Sequence, residues 1–87
     1  MTSTGSERRS RLDVIASILD VCQYWTLKTH VMYECNLSFK QLREYLDLLL
    51  QANLLLMEND RQSLRLRVSS KGRDFLKAYE GIKTIME

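Results

Sequence analysis

Apolar side chains recur early in the chain at Leu12, Ile15, Leu19 and Cys22, with Val14, Ile18 and Val21 widening the stripe. Steps of three and four residues place them on one face of a helix, so the spacing predicts a helix over Arg11 to Tyr24, with Ser10 as its N-cap. The breadth of that face implies packing on more than one side. Trp25 and Thr26 break the pattern, and a short helix fits Lys28 to Glu34 with Val31 and Met32 turned inward. Cys35-Asn36-Leu37 then reads as a tight turn in which Asn36 takes a left-handed conformation. Ser38 caps a third helix, Phe39 to Ala52, whose Leu42, Leu46, Leu49 and Leu50 share one face and whose Lys40, Gln41, Arg43, Glu44 and Asp47 share the other. Asn53 stands where a left-handed residue ends a helix.

The period then changes. Leu54 to Glu58 is a short apolar run, Asn59 to Gln62 a turn, and Ser63 to Val68 alternates Leu64, Leu66 and Val68 with Arg65 and Arg67. A period of two means a strand, so the pair is expected as a β-hairpin with the leucines and valine inward and the arginines outward. Ser69 or Ser70 caps a last helix running to Met86, in which Phe75, Tyr79, Ile82 and Met86 repeat at the spacing of a helix-pairing seam.

Composition narrows the class. Eighty-seven residues, 45% apolar and 28% charged, make one ordinary globular domain. So small a domain gains stability from a partner subunit. Cys22 and Cys35 have no further cysteine and only one histidine for company, which excludes a metal site, a redox pair or a cofactor held by them; each is expected as a buried apolar side chain in a reducing, cytoplasmic setting. No apolar run reaches membrane-spanning length, so no membrane partner is expected, and Met1 to Ser6 is polar and expected to be disordered. The net charge of +2 decides nothing, but its distribution does. Arg61, Arg65, Arg67, Lys71, Arg73 and Lys77 face only Asp74 between positions 61 and 77, while Glu44, Asp47, Glu58 and Asp60 meet no base between 44 and 60. Arg8, Arg9 and Arg11 form a second basic cluster.

The predicted order is three helices, a two-stranded wing and a C-terminal helix, a mainly α, α+β arrangement in which the second and third helices form a helix-turn-helix. Two segments sharpen this. The stretch from Lys28 to Leu42, KTHVMYECNLSFKQL, resembles a segment of archaeal winged-helix DNA-binding proteins that runs lysine-threonine, an apolar-methionine-tyrosine triplet, asparagine-leucine-serine and an aromatic. Ser69-Ser70-Lys71-Gly72 resembles the hydroxyl-x-Lys-Gly opening of their final helix. The resemblance covers Leu12 to Tyr79 and implies a dimeric DNA-binding protein, a transcriptional regulator or chromatin-associated protein of the nucleoid, whose last helices pair antiparallel. This chain departs from longer members in having only about ten residues after Lys77, and it carries Gly81 within the helix. Residues 1–9 are then a tail, 10–69 the DNA-binding domain and 70–87 the dimerisation helix.

Under that resemblance Ser38, Lys40, Gln41, Arg43 and Glu44 form the set facing the major groove of double-stranded DNA. Arg pairs with guanine O6/N7, Gln with adenine N6/N7, and Glu accepts from cytosine N4. Arg61, Arg65 and Arg67 on the wing, 54–68, are expected to grip phosphate or the minor groove, and Lys28 and Thr29 at the start of the second helix and Lys71 at the start of the last are further expected phosphate contacts. Phe75, Tyr79, Ile82 and Met86 are the expected homodimer interface. His30 reads as a surface residue. Trp25, Tyr33, Phe39, Tyr45, Phe75 and Tyr79 read as core or seam anchors, and Met32, Met57 and Met86 as packing. The competing reading is a winged helix used for protein contacts in a transcription or chromatin assembly, to which the acidic stretch from Glu44 to Asp60 lends weight. An enzyme is not expected: one histidine, three glycines and no nucleophile-base constellation leave no catalytic set.

Overall fold

Helix α1 spans Arg11–Val21 and starts on a reciprocal cap. The Ser10 hydroxyl accepts the Asp13 N–H at 3.1 Å, and the Asp13 carboxylate accepts the Ser10 N–H at 3.3 Å. The computed structural model describes residues 9–86, so the expected disorder of Met1 to Ser6 lies outside the described residues. Arg9, placed in the tail by sequence, donates to the Cys35 carbonyl at 2.7 Å. Val14, Ile15, Ala16, Ile18 and Leu19 of α1 enter the core. The helix stops three residues before the expected Tyr24, because the chain must turn there into a strand. Thr26–Leu27 forms β1, its Thr26 hydroxyl donating to the Tyr24 carbonyl at 2.7 Å.

Helix α2 spans Lys28–Glu34 and α3 spans Phe39–Gln51. Both end in the same way, at the two asparagines singled out by sequence. Asn36 has φ 55° and Asn53 φ 62°. Around each, two N–H groups return to the last turn of the helix, Leu37 to Met32 and Asn36 to Tyr33, then Leu54 to Leu49 and Asn53 to Leu50. This doubly bonded C-terminal turn needs a left-handed residue, and asparagine takes that conformation more readily than other side-chain-bearing residues.

The hairpin strands are β2, Leu55–Asn59, and β3, Leu64–Val68, in antiparallel register from Leu55 opposite Val68 to Asn59 opposite Leu64. The expected two-stranded wing is there as the β2–β3 hairpin, and β1 adds a third strand to its sheet, in order β1-β3-β2. Two residues cannot display an alternation, so β1 is specified by its partner: Thr26 sits opposite Leu66 and Leu27 opposite Arg65. Leu66 and Val68 face the core as predicted, with Leu64 half-buried. The last helix, α4, spans Ser70–Met86. Its first half packs on α1; from Gly81 onward every residue described is exposed.

One junction joins the wing to the helices. Leu54 and Ser69 flank the first pair of the hairpin, and the Ser69 N–H donates to the Leu54 carbonyl at 3.0 Å. The Ser69 hydroxyl donates to the Asn53 carbonyl at 2.6 Å and accepts the Gly72 N–H at 3.0 Å, capping α4. The Lys71 ammonium donates to the Ala52 carbonyl at 2.9 Å, closing the exposed carbonyl end of α3. Gly72 is buried there, and a Cβ on it would press into the Leu54 carbonyl oxygen and sit 2.6 Å from Val68 Cγ2. The Ser-x-Lys-Gly sequence therefore has one mechanical role for each named residue.

Cys22 and Cys35 are free thiols inside the core, and burial pushes Cys22 up to about 12, which keeps it protonated and unreactive. Tyr79 crosses from α4 to donate its hydroxyl to the Asp13 carboxylate. That bond, with those from Ser10, holds Asp13 below the usual carboxylate range, and the same bond raises Tyr79 above an ordinary phenol.

Two glycine substitutions should move stability in opposite directions. Gly72→Ala overpacks the junction and should cost about 1–3 kcal/mol. Gly81→Ala meets nothing within 4 Å and should gain up to about 1 kcal/mol of helix propensity. Thermal melts of both variants check this, and equal shifts would contradict the packing described. The Asp13–Tyr79 link gives a pH signature. Asp13, depressed, contributes stability above its unfolded value of about 4 and loses it as pH falls. Tyr79, raised, contributes below about 10 and loses it as pH rises. The stability difference between the native chain and Tyr79→Phe should thus be flat near neutrality and shrink at both extremes in denaturant titrations.

Candidate nucleic-acid interface

The N-terminal turn of α3 is exposed and carries no acidic residue. The positive end of the helix dipole is therefore uncompensated. Ser38 and Gln41 build it. The Ser38 hydroxyl accepts the Gln41 N–H at 3.1 Å, and the Gln41 side-chain carbonyl accepts the Ser38 N–H at 2.9 Å. This places one member of the expected reading set in the cap. A glutamine whose Oε1 is committed to the cap cannot pair bidentately with adenine unless the capping box opens. Lys40, Arg43 and Glu44 are exposed on α3, as expected of residues on its polar face.

Thr29 and His30 are exposed on α2, while Lys28 is half-buried and sets its ammonium over the Phe39 ring, 5.6 Å from the centroid. A groove of about 340 Å³ runs from there between α3 and the hairpin, with Phe39, Arg43, Asp47, Met57 and Leu64 among its lining. On the wing, Arg61 at the tip and Arg65 are exposed. The tip is shaped by Asp60, whose carboxylate accepts the Gln62 N–H at 3.0 Å and the Ser63 N–H at 3.2 Å and is held below its usual range by those bonds. Arg67 is half-buried, with its Nε enclosed and unpartnered. The sequence polarity is partly folded away, since Glu58 of the acidic stretch lies directly opposite Arg65 of the basic one.

Three groups of expected residues have surroundings that the sequence did not reveal. Lys71 is exposed and bonds the Ala52 carbonyl at the carbonyl end of α3, opposite the end that presents Lys40 and Arg43. The four seam residues divide. Phe75 and Tyr79 pack against the chain's own core, whereas Ile82 and Met86 are 62% and 80% exposed and are joined by Ile85 at 83%, which lies outside the spacing of the expected seam. Several side chains expected as core or seam anchors or as packing are exposed on the chain: Trp25, Tyr33 at 81%, Phe39 at 67% and Met57. Phe39 keeps phase with Leu42 and Leu46, but helical phase carries no information on where the core ends. Tyr45 and Met32 do pack against the core as expected.

A two-helix turn, a capped third helix and a hairpin wing define the class. The chain belongs to the winged helix-turn-helix family, whose model matches residues 8–87. Among solved structures, it is similar to Sso10a-2, a DNA-binding protein from Sulfolobus solfataricus, at 20% identity and TM-score 0.82, covering 90% of this chain and 82% of that one. It is also similar to SSV1 F-93, at 18% identity and TM-score 0.64 over 88% and 94% of the two chains. FabT of Streptococcus pneumoniae, solved in complex with DNA, matches at 17% identity and TM-score 0.67 over 93% of this chain and 63% of that one. At such identities the likeness is one of fold. No curated protein matches by sequence. Among the described residues no helix is long and apolar enough to cross a membrane, and no group of three metal-ligating side chains gathers.

The cap at α3 makes a specific prediction. Ser38→Ala removes the acceptor for the Gln41 N–H and should cost about 1 kcal/mol. That is a fall of about 4–8 °C in melting temperature for a domain of this size. An unchanged melt would mean that the capping box contributes nothing to the site's geometry.

Proposed function

We propose that the protein is a dimeric, sequence-reading binder of double-stranded DNA, an archaeal transcriptional regulator or chromatin-associated protein acting in the cytoplasm at the nucleoid. The observation that carries this reading is the exposed, acid-free N-terminal turn of α3, with Lys28 beside it and Arg61 and Arg65 on the neighbouring wing. In this reading Arg43, Lys40 and Glu44 meet base edges in the major groove, Ser38 and Thr29 add contacts near the helix start, and Gln41 orients the turn. Arg61 and Arg65 hold phosphate or enter the minor groove, with Arg67 behind them. Residues 10–69 are the DNA-binding unit and 70–87 the dimerisation helix. Ile82, Ile85 and Met86 form the seam, because Phe75 and Tyr79 are occupied within the chain.

A second reading has its own support. Trp25, Leu27 and Leu56 are exposed around the arginines of the sheet's outer face, a surface suited to a protein partner in a transcription or chromatin assembly.

Anisotropy titration with random-sequence duplex DNA separates the two. The DNA reading expects micromolar or tighter binding that weakens steeply with salt, and no binding in that range at low salt would contradict it. Each phosphate contact contributes about 0.9 to the slope of log affinity against log salt. Arg65→Ala combined with Arg61→Ala should therefore reduce that slope by up to about 2. Light scattering should give a dimer, and Ile82→Glu with Ile85→Glu a monomer that still melts cooperatively; a monomeric native chain would refute the seam.

A further inference from the structure

Phe39 is the first residue of α3, and its ring is 67% exposed at the mouth of the groove between α3 and the wing. An aromatic ring left in water at the leading end of a helix gains nothing for the fold. It is held there by two features: the Ser38–Gln41 capping box, which fixes the helix start, and the Lys28 ammonium 5.6 Å from the ring centroid. The apolar lining continues behind the ring through Leu42 and Leu46 to Met57 and Leu64.

We infer that Phe39 is a specificity-determining residue that reads thymine through its C5-methyl group, with Lys28 carried beside the ring towards a neighbouring phosphate. This deepens the DNA-binding reading and rests on it. Base edges in the major groove offer donors, acceptors and a single apolar group, the thymine methyl, and phenylalanine is among the side chains suited to contact it. The residues at the start of a recognition helix are those that come nearest to base edges. With the Gln41 side-chain oxygen engaged in the cap, its amide is not free for bidentate pairing with adenine, and the ring is the apolar group at the helix start left to meet a base edge. Lys28 donates only to anions or carbonyl acceptors, so over the ring it adds affinity without competing for the methyl.

The test uses two duplexes of identical alternating adenine-thymine sequence, one with every thymine replaced by deoxyuridine, which removes only the methyl groups. The native chain should bind the thymine duplex about fourfold more tightly for each methyl buried, the factor that corresponds to about 0.8 kcal/mol per apolar carbon. Phe39→Ala should bind both duplexes equally, and Phe39→Leu should keep part of the preference. Because the ring is largely in water, both variants should melt as the native chain does. Equal native affinity for the two duplexes would overturn the inference, as would a preference that survives in Phe39→Ala or a Phe39→Ala loss that leaves the ratio intact. Absence of binding to either duplex would instead refute the DNA-binding reading beneath it.

Discussion

Leu54 and Ser69 stand at the two feet of the wing, and the approach of α4 to the backbone between them is the contact on which the rest of the structure depends. The chain leaves α3 through a left-handed Asn53, and its Leu54 carbonyl receives the Ser69 N–H. The Ser69 hydroxyl ties the Asn53 carbonyl to the first turn of α4, and Lys71 reaches back to Ala52. None of this closes unless position 72 lacks a Cβ. With glycine there, α3, the hairpin and α4 share one fixed corner, so these local bonds, together with the buried Leu55, Leu66 and Val68, set the orientation of the wing relative to α3. The other end of α4 is secured once more, by Tyr79 on Asp13, before the helix runs free.

The same economy limits which charges remain for a partner. Of the basic side chains between 61 and 77, Lys71 bonds the Ala52 carbonyl at the junction and Arg67 is half-buried. Asp60, read from sequence as part of the acidic stretch, and Gln41, read as part of the groove-facing set, both accept backbone N–H groups. Lys40 and Arg43 at the start of α3 and Arg61 and Arg65 on the wing stay outward together, while Arg73 and Lys77 are exposed separately on α4. A near-neutral chain can thus present a locally cationic surface without the long-range field of a strongly basic protein.

Much of the fold was legible because its signals are local. Helical phase located α1, α3 and α4, alternation located β3, and the two asparagines marked both helix ends, since left-handed backbone restricts residue type directly. What was not legible depended on tertiary partners. The strand at Thr26–Leu27 exists only because β3 lies beside it, and it shortened α1 in doing so. The exposure of Phe39 and Tyr33 depends on where the core stops, and the capture of Tyr79 depends on Asp13, far away in sequence. For the candidate site, residue types on the polar face of α3 were readable, but the double duty of Ser38 and Gln41 as cap and surface was not. A capping box and a base-reading pair use the same residues.

The central claim is that the start of α3 and the wing, held by one corner, form a single binding surface for duplex DNA. Backbone amide shifts of the isotopically labelled full chain, followed by nuclear magnetic resonance during addition of duplex DNA, test it most directly. The account predicts that perturbations gather at Lys28, Phe39 to Glu44 and Arg61 to Arg65 and spare Trp25 and Leu56. Perturbations centred on Trp25, Leu27 and Leu56, or none at the start of α3, would contradict it.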